Sequence, residues 1–406
     1  MTQQKVMKFT GFGLWAILAV VGGIGIVQRL LHGDAATNFS SYIPWGMWVA
    51  AYIFFIGLSS GAFVVASLFY VFDIRKLERV ARPALLVATI TLGMALVAIW
   101  FDLGHLERVV FVFTRPQFHS MMAWMVWLYT AYLILLLAAL FFALRRDMAQ
   151  TDPDRTVRDD KILKLLCTIG IPLVIASQGS EGALFGTVIA REAWHTPIYP
   201  ILFLTGALAS GAALMTAVAA GFTPKRDVEW ADTMRLLGRL VLALVLLDFV
   251  LEWAEYSIPM WYGVGTEFDL LKNVLFGPYW YVFWIAHMLF GVAIPVVLLT
   301  VYRRRPWSIG IAGALIAVTF FAVRLNLVIP GLVTPELRGL ETAYLDPIGG
   351  RLSYTYLPSF FEWQVLGGIL AAGIAVFYLG YRYLPMSARV AAIRPAPTPI
   401  AQEVRS

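Results

Sequence analysis

Asp248, Glu252 and Glu255 stand four and three residues apart in a run that is otherwise almost wholly apolar. That spacing places all three carboxyls on one helical face. At about 1.5 Å of rise per residue, Asp248 falls near the middle of the run and Glu255 near its end. Acids are costly inside an apolar run and mark pairing, ion or proton chemistry. Asp102-Leu103-Gly104-His105 sets an acid and an imidazole on adjacent turns. An acid there fixes a tautomer, and histidine is the side chain that exchanges protons near neutral pH. His287 lies roughly 12 Å along its own run from Tyr279, and Arg324 lies within a further run. Glu181 is expected to close one helix and Glu362 to open another. Each has a bland alternative. Asp248 or Glu252 would be a structural partner of Arg324; Glu107, Glu255 and Glu362 would be solvated; His32, His119 and His195 would be surface residues.

The elements that must hold these groups follow from composition. The 406 residues are 60% hydrophobic and 14% charged, with a mean hydropathy of +0.76. A soluble domain carries about 25% charged residues. Apolar runs long enough to span a bilayer recur throughout, so the chain is read as an all-α polytopic membrane protein. Ten spans are expected, near 11–31, 45–72, 84–104, 118–144, 162–179, 197–221, 236–257, 279–302, 307–329 and 360–384. The first is too long for a signal peptide and has no small-residue cleavage site. Pro44, Pro83, Pro116, Pro197, Pro278, Pro306 and Pro358 each stand ahead of a run, where helix starts tolerate proline.

Basic residues decide the orientation. Twenty-three of the 31 Lys and Arg fall at one set of ends and loops, from Lys5 and Lys8 through Arg75–Arg82, Arg145–Lys164, Lys225–Arg239 and Arg303–Arg305 to Arg382 and beyond. Seven fall at the other: Arg29, Arg108, Arg115, Arg191, Lys272, Arg338 and Arg351. The positive-inside rule then puts both termini in the cytoplasm. The expected compartment is a bacterial or archaeal cytoplasmic membrane. The net charge of +6 comes from those loops and is no signal for nucleic acid. Asp102, His105, Glu252, His287 and Arg324 gather toward the outer side, as do the aromatic residues Trp45, Trp48, Trp194, Trp253, Trp261, Trp280 and Trp284. Aromatic residues there default to an interfacial belt.

Ser60-Gly61-Ala62 recurs as Ser210-Gly211-Ala212, and the same offset carries Asp102 onto Glu252. This suggests two parallel four-helix bundles, 45–196 and 197–330. A flanking helix and loop (1–44), an outer loop and last helix (331–385) and a disordered tail (386–406) complete the chain. Several chemistries are excluded. One cysteine, Cys167, allows no internal disulfide and no cysteine-ligated iron–sulfur cluster. His287 is the only histidine deep in a span, so no facing histidine pair for a haem exists. No Gly-rich phosphate loop appears. Any redox work therefore needs a diffusible redox group and a partner to carry the electrons.

Pro44-Trp45-Gly46-Met47-Trp48 followed by Gly57-Leu58-Ser59-Ser60-Gly61 resembles the NrfD/PsrC family, the quinone-interacting membrane subunits of polysulfide reductase, certain hydrogenases and alternative complex III. Asp102-Leu103-Gly104-His105 with Ser120-Met121 and Trp124 is similar to that family's junction of the third and fourth helices counted here. Trp194-His195-Thr196-Pro197 leading to Leu208-Ala209-Ser210-Gly211 also resembles it, as does Tyr356-Leu357-Pro358-Ser359 with Glu362 and Leu384-Pro385. The resemblance runs from about Tyr42 to Pro385. It implies a menaquinone or ubiquinone site near the outer face. It also implies an extracytoplasmic iron–sulfur subunit, joined to a molybdenum, nickel–iron or haem catalytic subunit. Trp45 and Gly46, and Ser177 and Gln178, stand where some members carry a histidine. The expected function is thus the membrane subunit of a respiratory oxidoreductase complex. Asp102 and His105 would be catalytic, and Trp45, Trp48 and Glu181 would join them around the quinone. Asp248, Glu252, His287 and Arg324 would form a proton path. The alternatives are a redox-linked proton translocator or ion transporter, and a passive anchor.

Overall fold

The computed structural model describes residues 3–148, 152–191, 194–337, 339 and 353–386. The tail expected from 386 onward, apart from Met386, lies outside the described residues, as do Arg338 and Arg351. The long elements are α1 (Gln3–His32), α2 (Met47–Tyr70), α3 (Glu78–Asp102), α4 (Met121–Met148), α5 (Pro153–Gly186), α6 (Tyr199–Phe222) and α7 (Val228–Tyr262). They continue with the short α8 (Gly265–Phe276), then α9 (Val282–Thr300), α10 (Pro306–Val333) and α11 (Phe360–Tyr383). No strand occurs among the described residues. Among those residues, nine helices are long and apolar enough to cross a membrane. The expected span at 236–257 is also a helix, α7, but its acids and arginines leave it outside that group. The chain is an all-α multi-pass membrane protein.

Helix α2 is apolar on every face and almost wholly buried, which makes it a central helix. It packs on α3, α5, α6 and α10. Its crossing with α6 rests on glycine. A Cβ on Gly61 would lie 2.7 Å from the Cα of Gly211, and one on Gly211 would meet the backbone of Ala62 at 2.6 Å. The two copies of the Ser-Gly-Ala motif therefore face each other, and small residues let the helices close up. Helix α1 packs on α11 through a similar contact of Gly22 with Gly368, so the first and last helices lie side by side.

Several helices exceed the expected spans. Helix α5 begins at Pro153 because Asp152 caps it, accepting a hydrogen bond from the Arg155 N–H at 3.2 Å. It continues to Gly186 because Gly182 lets its last turns lie against Tyr199 and Pro200. Glu181 thus sits inside the helix rather than closing it. Helix α3 starts at Glu78, so Pro83 lies within it rather than ahead of it. Helix α9 is irregular: Val282–Ala293 is a π-helix, followed by a regular α segment from Ile294. Helix α7 ends at Gly263, whose φ of 67° is the left-handed conformation glycine adopts freely.

Candidate functional site

Asp102 is the last residue of α3. One of its carboxyl oxygens is buried without a partner. It lies within electrostatic reach of Arg29, Glu362 and Asp34. Arg29 comes from α1 and is only 2% exposed. Its guanidinium donates to the carbonyls of Phe101 at 2.8 Å and Leu103 at 2.6 Å, which would otherwise be orphaned at the helix end. It also sits over the ring of Trp48. Glu362 is fully buried in the first turn of α11. Its carboxyl accepts from the Tyr356 hydroxyl and from the Ser359 N–H, the latter at 2.7 Å, completing a capping box. Tyr356 accepts in turn from the Met47 N–H at 2.8 Å. Burial, and then the adjoining Glu362 carboxyl, pushes the Tyr356 hydroxyl far above the usual tyrosine range. The Trp48 indole N–H donates to the Glu362 carbonyl at 3.1 Å.

His105 does not join Asp102. The chain turns at Leu103, which is extended, and the imidazole points outward, where its Nδ1 lies 3.1 Å from Glu107. Both side chains are mainly exposed. The Glu107 carboxyl is held below the usual range, first by its own backbone N–H and then by neighbouring His105. Trp48 and Trp194 are core residues rather than belt residues, at 0% and 2% exposure. Trp45 stacks on Trp194 with ring centroids 6.0 Å apart. Trp253 and Trp261 are exposed, as a belt requires.

A second group lies where α2, α4, α5 and α10 meet. Glu181 is fully buried, and neither carboxyl oxygen has a hydrogen-bond partner. Tyr129 of α4 faces it, with no hydrogen bond of normal geometry between them. Gln178, one turn earlier on α5, donates to the Ser60 hydroxyl at 2.9 Å and leaves its carbonyl oxygen unpaired. Tyr52 of α2 interacts electrostatically with both Glu181 and Asp102, so it stands between this group and the first. Arg324 of α10 approaches from the other side and interacts electrostatically with Glu181, Asp248 and Glu252. It forms no contact ion pair among the described residues. Its guanidinium lies over Phe203 and Phe320, with centroid distances of 4.6 and 5.5 Å. It donates weakly to the Phe203 carbonyl at 3.5 Å, and its Nε has no partner.

The third group is the acidic face of α7. Asp248 accepts from the Thr205 hydroxyl at 2.8 Å. Glu252 lies 3.4 Å from His287 Nε2. His287 is buried in the middle of the π-helical stretch, a local form that recurs at functional sites. A cavity of about 740 Å³, mouth included, is lined by Asp248, Glu252, Glu255, Glu267, Arg324 and Asn326 among others. A smaller void, with room for about one water, shares Asp248, Glu252 and Phe320 with it and reaches His287 and Thr319. Neither amide atom of buried Asn326 has a partner. No group of three or more metal-ligating side chains occurs among the described residues.

The fold therefore brings Glu181, Asp248, Glu252, His287 and Arg324 into one polar cluster and sets Asp102 at its edge through Tyr52. His105 stays outside. Glu362 is buried rather than solvated. Sequence reasoning missed Arg29, Tyr52, Tyr129, Tyr356 and Asn326. Arg29 carried a usable signal, since it is a basic residue on the side that basic residues avoid. Tyr356 stood in a family motif without its role being legible, and Tyr52 and Tyr129 carried no signal, because the groups they face, Glu181 above all, come from other helices.

Residues 36–336 match the family model described as polysulphide reductase, NrfD. The chain is 31% identical to a selenate reductase subunit of Mesobacillus selenatarsenatis, over 94% of this chain and 95% of that one. It is 29% identical to an Hdr-like menaquinol oxidoreductase integral membrane subunit of Archaeoglobus fulgidus, over 91% and 92%. It is 23% identical to the integral membrane subunit of menaquinone reductase of Nitratidesulfovibrio vulgaris, over 94% and 90%. On the match to its family model and on the near full-length likeness to these subunits, the chain belongs to the polysulphide reductase NrfD family.

Proposed function

We propose that this chain is the quinone-reactive membrane subunit of a respiratory oxidoreductase, exchanging electrons between the quinone pool and an extracytoplasmic iron–sulfur subunit. The names of its relatives, menaquinol oxidoreductase and menaquinone reductase membrane subunits, support the quinone. The selenate and polysulfide reductase names support a separate catalytic subunit. In this reading the end rich in Lys and Arg, with both termini, faces the cytoplasm. The partner docks at the opposite end, where Asp102, Trp45 and Glu181 lie.

One observation carries the site. Buried polar atoms without partners occur on Asp102 in the first group and on Tyr129, Gln178 and Glu181 in the second, and leaving such atoms unmet costs about 1–3 kcal/mol each. A ring bearing two oxygens would bridge the two groups beside Tyr52, which interacts electrostatically with both Asp102 and Glu181. A quinone supplies the two-electron, two-proton chemistry. The protein's share is to hold the protons and exclude water. Asp102 serves one ring oxygen and Glu181 the other, while Trp45 and Trp48 wall the outer side. His105, three residues beyond Asp102 and exposed, passes protons to and from the outer water with Glu107 beside it.

In the assembled complex, His105→Ala is expected to slow quinone-linked turnover about tenfold or more while sparing activity with an artificial electron donor. Unchanged quinone turnover would remove His105 from the route. Quenching of tryptophan fluorescence by a quinone analogue separates this reading from a passive anchor, which would show none. A second reading rests on the acid-lined cavity and the π-helix at His287. Here Asp248, Glu252, His287 and Arg324 form a proton route linked to the redox reaction. Proton movement into vesicles that accompanies turnover, and fails in Glu252→Gln, tests it.

A further inference from the structure

Arg324 has an unusual set of neighbours. It is a buried cation with three carboxyls in electrostatic reach, Glu181 on α5 and Asp248 and Glu252 on α7, and it contacts none of them at ion-pair distance. One guanidinium balances one carboxylate. In a low-dielectric interior the remaining two must then carry protons or find other partners. Glu181 makes no hydrogen bond of normal geometry and has only Tyr129 facing it, whereas Asp248 holds Thr205 and Glu252 holds His287. The guanidinium is also loosely seated. It rests on two aromatic faces and one long hydrogen bond. Beneath it lies Gly206, where a Cβ would come within 2.9 Å of both an Arg324 nitrogen and the Phe320 ring. A glycine there leaves the space a swinging guanidinium needs.

We propose that Arg324 is a counter-ion shared between the two halves of the molecule, held alternately by Glu181 and by the Asp248–Glu252 pair. A proton bound by Glu181 frees the guanidinium for the pair, and the pair then releases one proton toward the cavity that holds Glu255 and Glu267. One proton is taken up, one is released, and Arg324 keeps its charge throughout. Other ionisable groups facing the exchange are Tyr52 and Tyr129 beside Glu181, and His287, Tyr256, Glu255 and Glu267 around the pair. Arg324 acts through these carboxyls and is a positioning residue. The proposal rests on the preceding reading only for the source of the Glu181 proton.

The test is pH-difference infrared spectroscopy on the complex purified with its partner subunits. Glu181→Gln identifies the Glu181 carboxyl band by its loss. In Asp248→Asn and Glu252→Gln that band is expected to titrate with a midpoint shifted by about one pH unit. Arg324→Lys should keep the shift and Arg324→Gln should collapse it. Gly206→Ala crowds the guanidinium without touching any acid, and should shrink the shift as well. A Glu181 midpoint that is the same in wild type, Asp248→Asn and Glu252→Gln overturns the proposal. A shift that survives in Arg324→Gln also overturns it, since repulsion between acids would then suffice. Quinone-analogue quenching on the same preparation is a separate readout. Its absence would remove the quinone reading and leave the infrared result standing.

Discussion

Asp102 and Glu252 occupy matching places in two similar stretches of sequence, and the fold surrounds them differently. Asp102 lies in a closed corner. Arg29 from α1, Glu362 and Tyr356 from the far end of the chain, and Trp48 from α2 tie that corner with short hydrogen bonds. Glu252 lies beside cavities, facing a histidine on a π-helix and an arginine with almost no fixed bonds. The two corners show that an acid at an equivalent position is either enclosed by a bonded frame or set beside open space, depending on what the flanking helices add. Helices α1 and α11 close the first corner, and the second has no such cover.

The largest expected effect tests the closed corner. Arg29→Ala strips the end of α3 of two charge-assisted hydrogen bonds and Asp102 of its nearest cation. It should destabilise the chain by about 3 kcal/mol or more, read as a lowered melting temperature in detergent. Arg324→Gln loses one long bond, two aromatic contacts and a cation whose charge the nearby carboxyls can offset by taking up a proton, and should cost clearly less. Equal losses would erase the contrast between held and free arginines. Next in size, Trp48→Phe removes the indole donor to the Glu362 carbonyl and should cost about 1 kcal/mol. Trp253→Phe, exposed on α7, should cost nothing measurable.

A small but measurable effect lies at the opposite end of the molecule. There Arg79 donates to Asp227 at 2.8 Å and to Glu229 at 2.5 Å, joining the start of α3 to the start of α7. These groups are largely solvated, so Arg79→Ala should cost well under about 1 kcal/mol. The Asp227 carboxyl is held below its usual range, first by Arg79 and then by the Trp230 N–H. Its contribution is therefore present above the unfolded aspartate pKa and lost as pH falls through the lower folded value. Melting curves from pH 7 down to 3 should show the wild-type advantage over Arg79→Ala shrinking in acid.

Much of this was legible in the residues. Long apolar runs dictate helices, and the spacing of Asp248, Glu252 and Glu255 dictates a shared face, because an α-helix repeats every 3.6 residues. The order of short motifs was enough to show the family. Glu362 was less legible. Ser359 and Glu362 spell a capping box, but the box does not reveal that Tyr356 and Trp48 seal it from water. The widened turns around His287 left no mark either, since Val282–Ala293 has the composition of any apolar helix.

Sequence by itself determined the helical class, the sorting of basic residues to one end and the placing of acids along their helices. These are local consequences of hydropathy, solvation and helical period. Tertiary structure alone decided which acid meets which partner. Arg29 reaches α3 because α1 packs on α11 through Gly22 and Gly368, and Arg324 comes within reach of Glu181 and Asp248 because α5, α7 and α10 all pack on α6, where Gly206 leaves room for the guanidinium. Periodicity fixes the face a residue occupies on its helix, and only the crossing of helices fixes what that face meets.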